Sequence, residues 1–160
     1  MRSLVIALAA AATLAGLPAT TAAAQTSALP TCSGTRVMRE PVHLQQNMAK
    51  AAYIHVFYDS RTSTACAYLN STNATWGVRK HMTIMLKHCA RPAAGYGGCD
   101  GQLQSTAVRG WYTGRTHTAR LRISRGCMMA TGRIYWGKNY GLFSTKGNAC
   151  VNGASSASRG

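Results

Sequence analysis

Tyr53-Ile54-His55-Val56-Phe57-Tyr58, then Asp59-Ser60-Arg61-Thr62-Ser63-Thr64, then Ala65-Cys66-Ala67-Tyr68-Leu69: two apolar runs enclose a hexamer of turn-forming residues. β-Branched and aromatic side chains fill the first run. The Asp, Ser and Thr of the hexamer are residues that hydrogen-bond their own backbone in turns. The stretch therefore predicts a long-looped β-hairpin. Downstream, Val78, Met82, Ile84 and Leu86 fall on one face of a period-two segment, and Arg79, His81, Thr83 and Lys87 on the other, with Lys80 breaking the pattern at its edge. Residues 108–113, 119–124, 127–136 and 140–144 are further short strand candidates, separated by Gly114, Gly126, Gly137 and Asn139. This spacing predicts an all-β fold, a small antiparallel barrel or sandwich. The segment 44–52, Leu-Gln-Gln-Asn-Met-Ala-Lys-Ala-Ala, consists mostly of good helix formers, so one short helix is expected there. Two glycosylation-type triplets begin at Asn70 and Asn73; the triplet is short and common, and the stretch reads as a polar turn.

Working toward the N-terminus, Met1-Arg2-Ser3 is a short positive segment, residues 4–17 are apolar, and Pro18 precedes a small-residue stretch ending Ala22-Ala23-Ala24. This predicts a secretory signal peptide over 1–24, a single domain over 25–152 and a flexible tail over 153–160. The fourteen apolar residues fall short of the roughly 20 that span a bilayer. A lipid anchor is not expected either, because no Cys follows the small-residue site and the C-terminus has no apolar tail. Losing Arg2 lowers the formal charge from +15 to +14, carried by seventeen basic residues against three acids. An apolar content of 46% argues for a packed domain over a disordered basic chain.

All six cysteines, at 32, 66, 89, 99, 127 and 150, lie downstream of the export segment. Even parity in a short exported chain predicts a disulfide framework, with fifteen possible pairings. Proximity suggests Cys89 with Cys99, closing a Pro/Gly-rich loop. A bridge from Cys32 to Cys150, if made, would close a loop of 119 residues, worth about 4 to 5 kcal/mol by chain entropy. Zinc sites need close pairs such as Cys-x-x-Cys, and the chain has none, so no metal or other cofactor is expected.

Acid–base chemistry has few candidates. Glu40, Asp59 and Asp100 each read as turn residues, and no serine-nucleophile or phosphate-cradling glycine motif is present. The histidines at 43, 55, 81, 88 and 117 are scattered, and the strand patterns turn His55 and His81 to solvent. Arg115, Arg120, Arg122, Arg125 and Arg133 fall within nineteen residues, with Arg120 and Arg122 on one strand face and Trp111, Tyr112, Tyr135 and Trp136 close in sequence. These five arginines are the expected polyanion site, for nucleic acid, wall teichoic acid or anionic lipid.

The motif order resembles the secreted spore-associated protein A family of actinobacteria. Cys32-Ser33-Gly34-Thr35-Arg36-Val37 is similar to that family's opening, and Val56-Phe57-Tyr58-Asp59-Ser60 with Ala65-Cys66 to its first apolar strands. Trp111-Tyr112-Thr113-Gly114, Arg125-Gly126-Cys127 and Gly147-Asn148-Ala149-Cys150 resemble its later segments. The resemblance implies Cys32 with Cys150 and Cys66 with Cys127, leaving Cys89 with Cys99 as an added pair. It also implies export and association with cell or spore surfaces, without catalytic residues to carry over. The expectation is a secreted, cationic, non-enzymatic surface protein that binds anionic envelope polymers, with oligomeric state left open. The alternative is a secreted basic ribonuclease or toxin, which requires His117 or His88 beside arginines in a cleft.

Overall fold

The alternation read from the sequence becomes nine strands in the computed structural model, which describes residues 31–92, 99–144 and 149–151. The expected export segment 1–24, the tail 153–160 and the middle of the loop between Cys89 and Cys99 lie outside the described residues. The strands are β1 (Thr35–His43), β2 (Lys50–Asp59), β3 (Thr64–Ser71), β4 (Lys80–Arg91), β5 (Asp100–Tyr112), β6 (Ala119–Arg122), β7 (Gly126–Trp136), β8 (Asn139–Ser144) and β9 (Ala149–Val151). They form two antiparallel sheets. Sheet A has the order β1-β2-β3-β6; sheet B has the order β5-β4-β7-β8, with β9 also pairing β7. No helix among the described residues is long and apolar enough to cross a membrane.

The quoted hairpin is β2 and β3, in register from Ala52↔Ser71 to Asp59↔Thr64. Asp59 closes the loop by accepting from the Arg61 N–H at 3.0 Å, and Ser63 takes φ 51°. Burial works to raise the Asp59 pKa, but hydrogen bonds from Arg61, Ser33 and Thr62 and the Arg61 charge override it and hold the carboxyl below its usual range.

The helix expected over 44–52 does not form. A turn closes through two backbone bonds at 2.9 Å, the Leu44 N–H donating to the Ala49 carbonyl and the Met48 N–H to the Leu44 carbonyl. Lys50 already belongs to β2. Ala52 is fully buried and pairs with Val42 on one side and Ser71 on the other, so ladder bonds and core burial outweigh the weak helical preference of a short segment.

Even-numbered side chains of β2 and β4 point inward. Val42, Ile54, Val56, Leu69, Met82, Ile84, Leu86 and Ile134 are fully buried between the sheets, and burial of each such side chain is worth about 1.5–3 kcal/mol. At Gly132 a Cβ would lie 2.8 Å from both Ile54 and Leu69, so glycine is what lets β7 of sheet B settle onto sheet A. The sheet edges also meet, β1 against β8 and β6 against β5, giving the sandwich the closure of a flattened barrel.

All six cysteines are oxidised, but two of the pairings implied by the resemblance are replaced. The bridges are Cys32–Cys66, Cys89–Cys99 and Cys127–Cys150. Cys66 alternates with the inward Ala65 and Ala67 and so lies on the outer face of sheet A, where it meets Cys32. Cys127 sits in sheet B, outside the main core, in a second buried cluster with Cys89 and Met129. Both sheets stand between Cys66 and Cys127, and Cys150 is the direct cross-strand partner of Cys127. No bridge therefore joins one sheet to the other.

Non-reducing peptide mapping should recover these three bridges; finding Cys32 with Cys150 would overturn the arrangement. Replacing Cys32 and Cys66 together by Ser should lower unfolding free energy by about 3–4 kcal/mol, the chain-entropy value for a loop of this length. Denaturant titration measures it.

Candidate functional site

A cleft of about 470 Å³ opens where β5 ends and the chain crosses back toward sheet A. Asn70, Trp76, Arg79, Trp111, Arg115 and the segment Tyr112 to Gly114 line it. Trp76 and Trp111 are 56% and 61% exposed, unusually wet for the largest apolar side chains in a chain whose core is complete without them. A Cβ on Gly114 would lie 2.7 Å from the Trp76 ring, so the six-membered ring of the indole packs against a position that only glycine leaves open. The Arg79 guanidinium sits 5.7 Å from the Trp111 ring centre.

Lys80 fixes this rim. Its position on β4 has the parity of Met82, Ile84 and Leu86, so what reads in the sequence as a break in the pattern is a lysine pointing into the core edge, 3% exposed. The ammonium donates to the carbonyls of Thr75 (2.5 Å), Val78 (2.9 Å) and Thr113 (3.0 Å), which takes up its three protons. Burial lowers its pKa. The bonds tie the Trp76 loop and the end of β5 to one cation.

From the cleft, the outer face of sheet B carries two parallel rows. Trp111, His81 and Tyr135 form a row of rings across β5, β4 and β7; His81 stands edge-on to both neighbours, at 5.8 and 5.7 Å. One pleat further along, Arg109 and Arg133 flank Thr83 in register. Trp111, Arg109, Arg133 and Tyr135 are exposed.

The outer face of sheet A is also basic and aromatic. His55 stacks on Tyr68 at 4.9 Å, Arg39 covers Tyr53 at 4.1 Å, and Arg115 covers Tyr68 at 5.0 Å, linking this face to the cleft. The alternation places His55 on this outward face, as expected, but not in solvent: its neighbours cover it to 9% exposure, and Nδ1 is buried without a hydrogen-bond partner. Burial, then the charges of Arg39, Arg36 and Arg115, lower its pKa to about 4.

The five arginines expected to form one polyanion site are distributed by the fold. Arg120 and Arg122 share the outer face of sheet A, as their alternation requires, pairing opposite Cys66 and Thr64. Arg133 lies on sheet B, and Arg115 lines the cleft. Arg125 occupies the turn before β7, where its carbonyl accepts from His88 Nε2 at 2.7 Å, far along the strands from the cleft. Trp76, Arg79, His81 and Arg109 join the site although they lie outside the sequence cluster. The signal for them was present in the outward parity of Arg79 and His81, but the pairing of β4 with β5 and β7 was needed to see it. His117 is exposed and stands edge-on to Tyr112 at 5.7 Å, while Arg120 donates to Thr118 and Thr31. Among the described residues no group of three His, Cys, Asp or Glu could hold a metal ion.

No protein-family model matches the chain, nor does any curated protein or solved structure.

Lys80→Met should destabilise the fold by about 2–3 kcal/mol, because three carbonyls lose their donor; urea melts check this. His55 supplies a pH dependence. Its folded pKa lies below the unfolded value, so its contribution is complete above about pH 6.5 and is lost as pH falls toward 4. Stability should drop by about 2–3 kcal/mol across that window, and His55→Phe should flatten the profile there.

Proposed function

We propose that this chain is an exported, non-enzymatic domain that binds polyanionic polymers through its basic and aromatic surface and is held by charge at the cell or spore surface. The observation that carries the reading is the placement of the three acids. Asp59 pairs with Arg61, Asp100 pairs with Arg91 at the far end of sheet B, and Glu40 lies on β1, so none of these three carboxylates lines the cleft or stands in the strand register beside Arg109 and Arg133. Cations without opposing carboxylates attract polyanions and release counterions when they bind them. Three disulfides suit an oxidising compartment, which supports export. The resemblance to the spore-associated protein A family supports a surface location, and anionic envelope polymers are the polyanions that such a location offers.

Binding of the refolded protein to cell-wall preparations and to inorganic polyphosphate should weaken by about 100-fold between roughly 50 and 200 mM salt, the dependence expected for a handful of phosphate contacts. Salt-insensitive binding, or none at low salt, would sink the reading. Incubated with RNA, the protein should leave it intact; cleavage abolished by His117→Ala would establish the ribonuclease alternative instead.

A further inference from the structure

We infer that the cleft and the outer face of sheet B form a binding site for single-stranded nucleic acid, in which unpaired bases stack on Trp111, Trp76 and Tyr135 while arginines take the phosphates. The inference rests on the polyanion reading and names the class of polymer this face selects.

Charge alone needs no rings, and a core needs none in solvent. Yet among the described residues the exposed Trp and Tyr rings are Trp76, Trp111 and Tyr135, and all three lie on the cleft or the adjoining sheet face. Exposed rings on a basic surface are what base stacking requires, because every base presents a π-face whatever its sequence. An antiparallel sheet with aromatic residues on its open side is an established platform for such stacking.

The spacing fits a chain of alternating ring and charge. Trp111, His81 and Tyr135 occupy adjacent strands, which lie about 4.8 Å apart. The Arg109 and Arg133 row is two residues along, about 6.7 Å away on the same face. Bases laid along the first row bring their phosphates to the second, where guanidinium groups bind phosphate with two parallel hydrogen bonds. Arg79 over Trp111, and Arg115 over Tyr68 at the other lip of the cleft, extend the charged track around the end of the sandwich. The Lys80 bonds hold Trp76 and Arg79 in place before any ligand arrives.

Two competing polymers meet this geometry less well. A duplex hides its base faces within its own stack. A polyol phosphate of the envelope offers phosphates but no planar group for the indoles.

The test uses the oxidised chain with four probes: labelled oligothymidylate, the same strand annealed to its complement, inorganic polyphosphate and teichoic acid. Oligothymidylate should bind with saturable quenching of tryptophan emission, and more tightly than the duplex. Trp111→Ala should weaken oligothymidylate about tenfold, equivalent to about 1.4 kcal/mol, and weaken polyphosphate, which has no base to stack, several-fold less. Trp111→Phe should restore most of the loss, whereas Arg109→Gln with Arg133→Gln should weaken both ligands. These side chains are exposed, and circular dichroism with thermal melting confirms the fold of each variant. If both polymers bind and Trp111→Ala affects neither, the stacking site is refuted while the polyanion reading stands. If no probe binds at low salt, both fall. If teichoic acid binds in a Trp111-dependent manner and oligothymidylate does not, the site belongs to an envelope polymer and the nucleic-acid assignment is overturned.

Discussion

Apolar contact between the two sheets is the interaction on which everything else depends. Each disulfide stays on its own side of the sandwich: Cys32–Cys66 belongs to sheet A, while Cys89–Cys99 and Cys127–Cys150 belong to sheet B. No disulfide therefore joins the sheets; apolar packing does, with Ile54 and Leu69 of one meeting Gly132 of the other, alongside the crossover after β5 whose backbone bonds to Leu69 and Ser71. The cross-links strengthen the fold by limiting the unfolded chain, and the buried apolar layer decides which way every strand faces. Once that layer is filled, the alternate residues of β2, β4, β5 and β7 have nowhere to go but outward, and on those outward faces lie the rings and the guanidinium groups.

The same constraint explains why a small basic chain can carry an ordered cationic surface. Mutual repulsion among arginines would spread flexible side chains apart, but strand pairing sets their spacing, and aromatic rings beneath Arg39, Arg79 and Arg115 hold them. The three carboxylates are placed elsewhere, two of them with arginines of their own. Lys80 shows the opposite use of charge. Enclosed by three carbonyls, it acts as an internal tie between a loop and a strand end. His55, in a similarly covered position but among arginines, is kept neutral.

Much of the fold was legible because period-two alternation is a local property. The hairpin of β2 and β3, the inward face of β4 and the shared face of Arg120 and Arg122 needed no distant information. The helix expected over 44–52 failed because propensity is weak and Ala52 had two ladder partners that the local sequence does not reveal. The cysteine pairing failed for a related reason: parity places Cys66 and Cys127 outside the core but does not say that two sheets separate them. Lys80 looked like an interruption because its carbonyl cage is assembled from residues up to 33 positions away. The arginine cluster reads as one site because its members are near in sequence, but nearness in sequence is not nearness in space, and the turn before β7 carries Arg125 to the far end.

By itself the sequence determined an all-β chain with every cysteine committed to a disulfide, a large positive charge and strands of known inward and outward faces, because these follow from composition, parity and side-chain alternation. Only the tertiary structure decided which cysteines meet, that His55 is covered, and that Trp76, Arg79, Trp111 and Arg115 surround one cleft. Each of these depends on which strands become neighbours, and that is settled by long-range pairing and packing between sheets.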